Sequence, residues 1–234
     1  MSCEHLRGIR EYEVAQVVSY LYPNQRVLEV GPGMGWQSKF MTGLGLKVIT
    51  LGIPGNIDGE QQIFYDGKNI PLQSSSVDLV YSSNVLEHIV HIVDFQKELR
   101  RILKPSGRAI HILPSGSWRW WTSFTFYLRK LQIVPYKFHR LNQATKTSPT
   151  LQQHKPQLFP ERHGVSGNSL TELYTFSRHY WIRFFRSSGW VVDRVQPARL
   201  FYTGYSILGC QLPLGMRHYL SYVAGSACLI YVLH

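Results

Sequence analysis

One acid inside an apolar run, then three glycines at alternate positions, make up residues 26–36, RVLEVGPGMGW, with Glu29, Gly31, Gly33 and Gly35. An apolar run that breaks into glycines reads as a buried strand opening a helix. The bare backbone presents N–H groups and lets a ligand approach the main chain closely. Two ligand classes use this design, and neither signature is complete here. A dinucleotide site is G-x-G-x-x-G, and Trp36 holds the place of its third glycine. A phosphate loop is G-x-x-x-x-G-K-[ST], which is absent. Further along stand Asp66-Gly67, then NVLEH with Asn84, Glu87 and His88, and then PERHG with His163. A histidine that titrates near neutral pH is suited to taking a proton from a hydroxyl.

The elements that must position these residues alternate in a regular way. Residues 4–21 read as an amphipathic helix stopped at Pro23, 26–30 as a strand, and 33–44 as a helix with Phe40, Met41 and Leu44 on one face. Residues 47–53, 62–66 and 77–83 read as strands. Residues 93–107 read as a helix, apolar at Phe95, Leu99, Ile102 and Leu103, ended by Pro105 and Gly107, and 108–114 as the next strand. Strand–helix alternation implies βαβ units and a parallel sheet covered on both faces. From residue 117 the grammar changes. Residues 117–134 read as an aromatic helix with interleaved basic residues, and 135–168, which hold Pro135, Pro149, Pro156 and Pro160, as a long loop. Residues 177–190 read as a helix with Gly189 at its C-cap, 190–196 and 226–234 as strands, and 197–225 as an apolar insertion between them.

The glycine run resembles E/D-x-G-x-G-x-G, the first motif of class I S-adenosylmethionine-dependent methyltransferases. Residues 65–89, YDGKNIPLQSSSVDLVYSSNVLEHI, are similar to that family's second and third motif region. Residues 99–114, LRRILKPSGRAIHILP, resemble its helix, Lys-Pro-x-Gly turn and fifth strand. Four motifs in order cover residues 26–114, and the likeness is to the small-molecule, methyltransferase-11-like branch. It implies an α/β, Rossmann-like methyltransferase sheet, mostly parallel with an antiparallel last strand and helices on both faces. It also implies S-adenosyl-L-methionine as cofactor. By the same resemblance Glu29 accepts from the amino group of the methionine moiety, and Gly31, Gly33 and Gly35 leave room for methionine and ribose. Asp66, with Gly67 beside it, binds the adenine amine, and Asn84 lines the sulfonium end. The family usually ends its second strand with an acid for the ribose hydroxyls; here Gly52 stands about there, with Asp58 or Glu60 as substitutes from the loop.

The methyl group is activated in such a cofactor, so alignment and desolvation supply most of the rate. A hydroxyl acceptor must also lose its proton, and the candidate catalytic bases are His88 and His163. Some quinone and small-RNA methyltransferases look like E-x-x-E-H at residues 84–88 and bind a divalent ion. Asn84 replaces the first acid, and two remaining ligands make a poor site, so no metal is expected.

Composition bounds the rest. At 234 residues, 44% hydrophobic and 17% charged, the chain suits a single domain. We divide it into a cofactor-binding half (1–116), a helical and loop insertion for the acceptor (117–189), and closing strands (190–234). Cys3, Cys210 and Cys228 give neither a disulfide framework nor a zinc spacing. No apolar leader and no run of about 20 apolar residues is visible, so a cytoplasmic location is expected. The net charge of +11 is uneven: residues 1–117 hold 11 Lys/Arg and 11 Asp/Glu, whereas 118–234 hold 14 against 3, with 22 of the 31 aromatics. A basic, aromatic half suits an anionic partner. The first reading is O-methylation of an amphiphilic or anionic small molecule, such as a lipid-linked sugar, a polysaccharide precursor or an isoprenoid-like acceptor, with peripheral contact to an anionic membrane at its inner face. The second is an RNA methyltransferase whose basic half tracks phosphates. The base-amine motif [DNS]-P-P-[YFW] and a Pro-Cys nucleophile are both missing, so ribose or another RNA position would remain. The third, motivated by Gly52, is a methyltransferase-like protein without catalysis.

Overall fold

The computed structural model describes residues 3–52, 62–141, 158–204 and 212–234. Seven strands form one sheet in the order β3-β2-β1-β4-β5-β7-β6. They are β1 (Arg26–Val30), β2 (Lys47–Gly52), β3 (Gln62–Phe64), β4 (Val77–Ser83), β5 (Leu103–Pro114), β6 (Val192–Pro197) and β7 (Cys228–Leu233). The first five pair in parallel, and β7 is antiparallel to both neighbours, β5 and β6. The helices are α1 (Cys3–Ala15), α2 (Trp36–Gly43), α3 (Ile92–Ile102), α4 (Gly116–Leu141), α5 (Thr171–Thr175), α6 (Arg178–Ser187) and α7 (Leu214–Ala224).

Alternation along the strands sorts side chains between two apolar layers. Leu28 and Val30 pack with Phe95 and Leu99 of α3 and Phe185 of α6. Val27, one residue out of phase, packs with Val14 of α1 and Met41 of α2, alongside Leu79 and Tyr81 of β4. The chain runs outward from β1 to β3 and then returns to β4 on the other side of β1. That reversal leaves a crevice between the C-terminal ends of β1 and β4, the place where open α/β sheets bind ligands.

Four boundaries differ from the sequence reading. The first helix ends at Ala15, and a single 3-10 turn, Val18–Tyr20, carries the chain to Pro23. Helix α3 stops at Ile102 and β5 begins at Leu103, so the Lys-Pro-Ser-Gly segment lies within the strand. The extra residues are taken up where the β4–β5 register shifts between Val77 and Leu79, and a Cβ on Gly107 would stand 2.9 Å from the Asp78 carbonyl. Helix α4 continues past Pro135 to Leu141, into the expected loop of 135–168, and a short helix that the sequence reading did not include, α5, precedes α6. The insertion between β6 and β7 contains α7. Gly189 does close α6: Trp190 N–H reaches the Phe185 carbonyl and Gly189 N–H that of Arg186, a Schellman arrangement.

Candidate active site

The glycine turn sits at the end of β1. Gly31, Gly33 and Gly35 have φ of 67°, 55° and 71°, left-handed values that few other residues adopt. The three differ in what a side chain would meet. A Cβ on Gly31 would lie 2.5 Å from Val85 Cγ2, so this glycine lets β1 and the segment after β4 approach. A Cβ on Gly33 or Gly35 would meet nothing within 4 Å. Gly35 is also the N-cap of α2 with no side-chain cap, so the helix start is left to a ligand or solvent. Gly31 and Gly33 border a cleft of about 240 Å³ whose other walls include Leu6, Arg10, Trp36 and Asn84.

Glu29 lies in mid-strand, 1% exposed, on the face turned toward α2. Its Oε2 accepts from the Ser38 hydroxyl, and its Oε1 is buried without a hydrogen-bond partner. Burial pushes its carboxyl up to about 7, against the opposing Ser38 bond.

Beside it lies a network that the sequence reading missed. Arg10 Nη1 donates to Glu13 Oε2 at 2.6 Å; Ser83 Oγ donates to the same oxygen at 3.0 Å, and Tyr202 Oη to Glu13 Oε1 at 2.8 Å. Asn84 Nδ2 donates to Ser83 Oγ at 3.0 Å, and Cys228 Sγ donates to Asn84 Oδ1 at 3.3 Å. Asn84 itself has φ 55°. The network ties α1, β4 and β7 together under the cleft. A signal existed: Ile9 and Glu13, four positions apart on one face of α1, are 1% and 0% exposed, an acid in apolar register.

Asp66 and Gly67 follow β3, two strands from the glycine turn. Asp66 is exposed, and its Oδ1 accepts from the backbone N–H of Lys68 and Asn69, both at 2.7 Å. Those two bonds, that of Asn69 foremost, hold its carboxyl below the usual range. Asp66 therefore caps a turn in this structure. Gly52 pairs with Phe64 at the end of β2, while Asp58 and Glu60 lie outside the described residues.

His88 and His163, 75 positions apart, are brought together with ring centroids 4.7 Å apart. Both face one carboxylate: His163 Nε2 is 3.6 Å and His88 Nε2 3.8 Å from Glu87 Oε1. Burial lowers the His88 pKa, with Glu87 opposing and His163 adding to the fall. The segment carrying His163 is fastened by a buried ion pair. Arg119 of α4 and Glu172 of α5 are 3.1 Å apart, and Glu172 Oε1 accepts from the backbone N–H of His163 and Gly164 at 2.5 and 2.7 Å. Arg119 also donates to the carbonyls of Glu161 and Ser169. In three dimensions His163 joins Glu87 and His88, so three residues of ligand type lie together where the motif alone offers two.

A sheet in this order, with a glycine turn at its reversal point and a buried acid beneath it, is a Rossmann-like arrangement with a ligand crevice. Residues 28–111 match the family Methyltransf_11, described as a methyltransferase domain. The chain is 33% identical over 119 residues to the biotin biosynthesis bifunctional protein BioHC of Cellvibrio japonicus, a match covering 45% of this chain and 24% of that protein. Among solved structures, a SAM-dependent methyltransferase from Aquifex aeolicus aligns with TM-score 0.54 and 13% identity, covering 96% of this chain and 90% of its own. One from Mesorhizobium loti aligns with TM-score 0.56 and 12% identity, covering 95% and 97%. Residues 28–111 thus match a methyltransferase domain, and the described chain shares its fold with S-adenosylmethionine-dependent methyltransferases.

Proposed function

We propose that this protein transfers a methyl group to an oxygen of a small amphiphilic or anionic acceptor, using the cleft at the glycine turn for the cofactor and the α4–α7 side for the acceptor. When bound, the cofactor supplies a methyl group already activated on a sulfonium. The residues present suit it. Glu29 has an unpaired oxygen for its ammonium group, Gly33 and Gly35 leave the space it needs, and Asn84 stands at the same mouth. Gly31 keeps that mouth narrow by admitting Val85, and Asp66 with Gly67 serves the adenine end. Aligning the acceptor and excluding water then account for most of the rate. One of the two imidazoles, His88 or His163, takes the hydroxyl proton in the simplest arrangement.

The observation that carries the acceptor class is the outer surface of α4 and α7. On α4, Trp120, Phe124, Tyr127, Leu128 and Leu131 are exposed at helical spacing, and Trp120 stacks on Phe124 at 5.4 Å. On α7, Met216, Tyr219, Tyr222 and Val223 are exposed, and Trp121 Nε1 joins the helices through the Ala224 carbonyl at 2.8 Å. Lys130 lies over the Phe126 ring at 4.6 Å, and this half of the sequence carries the entire +11. Apolar rings beside cations suit the boundary of an anionic bilayer, from which an amphiphilic acceptor would be taken. Among the described residues no helix is long and apolar enough to cross a membrane. The test is methyl transfer from labelled cofactor to extracted polar lipids and to RNA, compared in parallel. Incorporation into the lipid fraction is expected; incorporation into RNA alone would overturn the acceptor class.

A further inference from the structure

We infer that Glu87, His88 and His163 form a binding site for one divalent transition cation beside the methyl-transfer cleft. The three residues offer ligand atoms that all lie within 4.8 Å of one another. Glu87 is the centre. Its side chain is 1% exposed, and neither carboxylate oxygen has a hydrogen-bond partner, a costly state for an ionised group. Both imidazoles turn Nε2 toward Glu87 Oε1, at 3.6 and 3.8 Å, too far for hydrogen bonds. Those separations suit something between them. Ligand atoms about 2.1 Å from a tetrahedral zinc stand roughly 3.4 Å apart, so a small inward shift closes the site.

The surroundings hold the ligands ready. Glu87 and His88 lie in the 3-10 turn Leu86–His88 that follows β4, three and four residues beyond Asn84. Val165 N–H donates to the Glu87 carbonyl at 3.1 Å, so the 161–169 segment is latched to this turn. The Arg119–Glu172 pair anchors the same segment from the other side, and Trp118 packs on the His163 ring at 4.7 Å. Glu87 also borders a cavity of about 60 Å³ closed by Phe176 and Trp181, room for a further small ligand. Two neutral imidazoles and one carboxylate, with a position left open, favour zinc, cobalt, manganese or iron(II) over calcium or magnesium. For the reaction, this inference rests on the acceptor reading: the cation would acidify a coordinated hydroxyl, whose proton leaves to water. In that state the imidazoles are ligands and the cation replaces them as the means of ionising the acceptor.

The test uses the full chain stripped with a chelator and titrated with Co²⁺, followed by visible absorption and by melting temperature. One equivalent should develop a d–d band and raise the melting temperature, since a cation that binds only the folded state stabilises it. Glu87→Gln should fold at least as stably without metal, because the buried charge is gone, yet lose both signals. His163→Ala should weaken binding roughly a hundredfold or more, since loss of even an outer-shell partner costs 10–100-fold. No saturable band in the parent protein, or a band and shift unchanged in Glu87→Gln, would overturn the site. Binding of S-adenosylhomocysteine, measured on the same samples, reports separately on the methyltransferase reading.

Discussion

If Glu29 receives the ammonium group of the cofactor, as proposed, this one residue couples the fold to binding. Its carboxyl lies near 7 in the free protein because it is buried, whereas binding an ammonium group favours the ionised form. Protons therefore compete with the cofactor, and affinity should fall as pH drops through 7, by about tenfold between pH 8 and pH 6. Calorimetric titration across that range checks it; a flat profile, or one that strengthens toward acid, would contradict the assignment. The glycines separate structure from binding at the same scale. Gly31→Ala drives a methyl group into Val85 and should lower the melting temperature. Gly33→Ala meets only the strain of a left-handed backbone, about 1–2 kcal/mol. Glu29 and the glycines were legible because the motif is local, seven residues from Glu29 to Gly35 at the end of one strand. Arg10 and Glu13 were not singled out, and Glu87 was weighed as a metal ligand only together with His88. Their partners come from β4, β7 and the 161–169 segment, far apart in sequence, and His163 is held beside His88 by the buried Arg119–Glu172 pair together with the Val165–Glu87 backbone bond.

That pair makes its own prediction at the scale of elements. Arg119 is 1% exposed and reaches α5 and the segment beside it. Arg119→Leu leaves Glu172 buried without its cation and should cost about 3–5 kcal/mol in urea unfolding. The double variant Arg119→Leu/Glu172→Leu should recover part of that loss. Helix α4 carries the surface prediction as well. Its inner stripe, Trp118, Thr122 and Phe126, is buried, whereas Trp120 and Phe124 face outward. If α4 lies on an anionic bilayer, Arg129→Glu/Lys130→Glu should reduce co-sedimentation with anionic vesicles most strongly at low salt. Trp120→Ala/Phe124→Ala should reduce it at high salt too, because apolar burial is not screened. Protein that stays in the supernatant with both anionic and neutral vesicles would count against this. Strands and the first helices were readable from periodicity. The β4–β5 bulge and the course of α4 past Pro135 were not, because each is set by what the element packs against rather than by its own residues.

Across the whole molecule, a charge-balanced first half is followed by a basic, aromatic second half, and the sheet to which both contribute strands has its own dependence on pH. His111 of β5 is completely buried, bonded through Nδ1 to Ser82 Oγ at 2.7 Å and stacked on Phe185. Burial pushes its pKa down to about 3. Below the ordinary value of 6.5 the unfolded chain takes up a proton that the folded chain refuses, so this site favours unfolding progressively as pH falls from 6.5 toward 3. Urea midpoints for His111→Gln should decline less steeply over that interval than those of the parent protein. The central claim, that the open space at the glycine turn is where S-adenosylmethionine sits, is tested most directly by calorimetric titration of S-adenosylhomocysteine into the parent protein and into Gly33→Val. A Cβ at Gly33 meets nothing within 4 Å, so the valine side chain extends into the cleft. One-to-one binding by the parent protein and none by a folded Gly33→Val is the predicted result; equal affinity in the two proteins would contradict it.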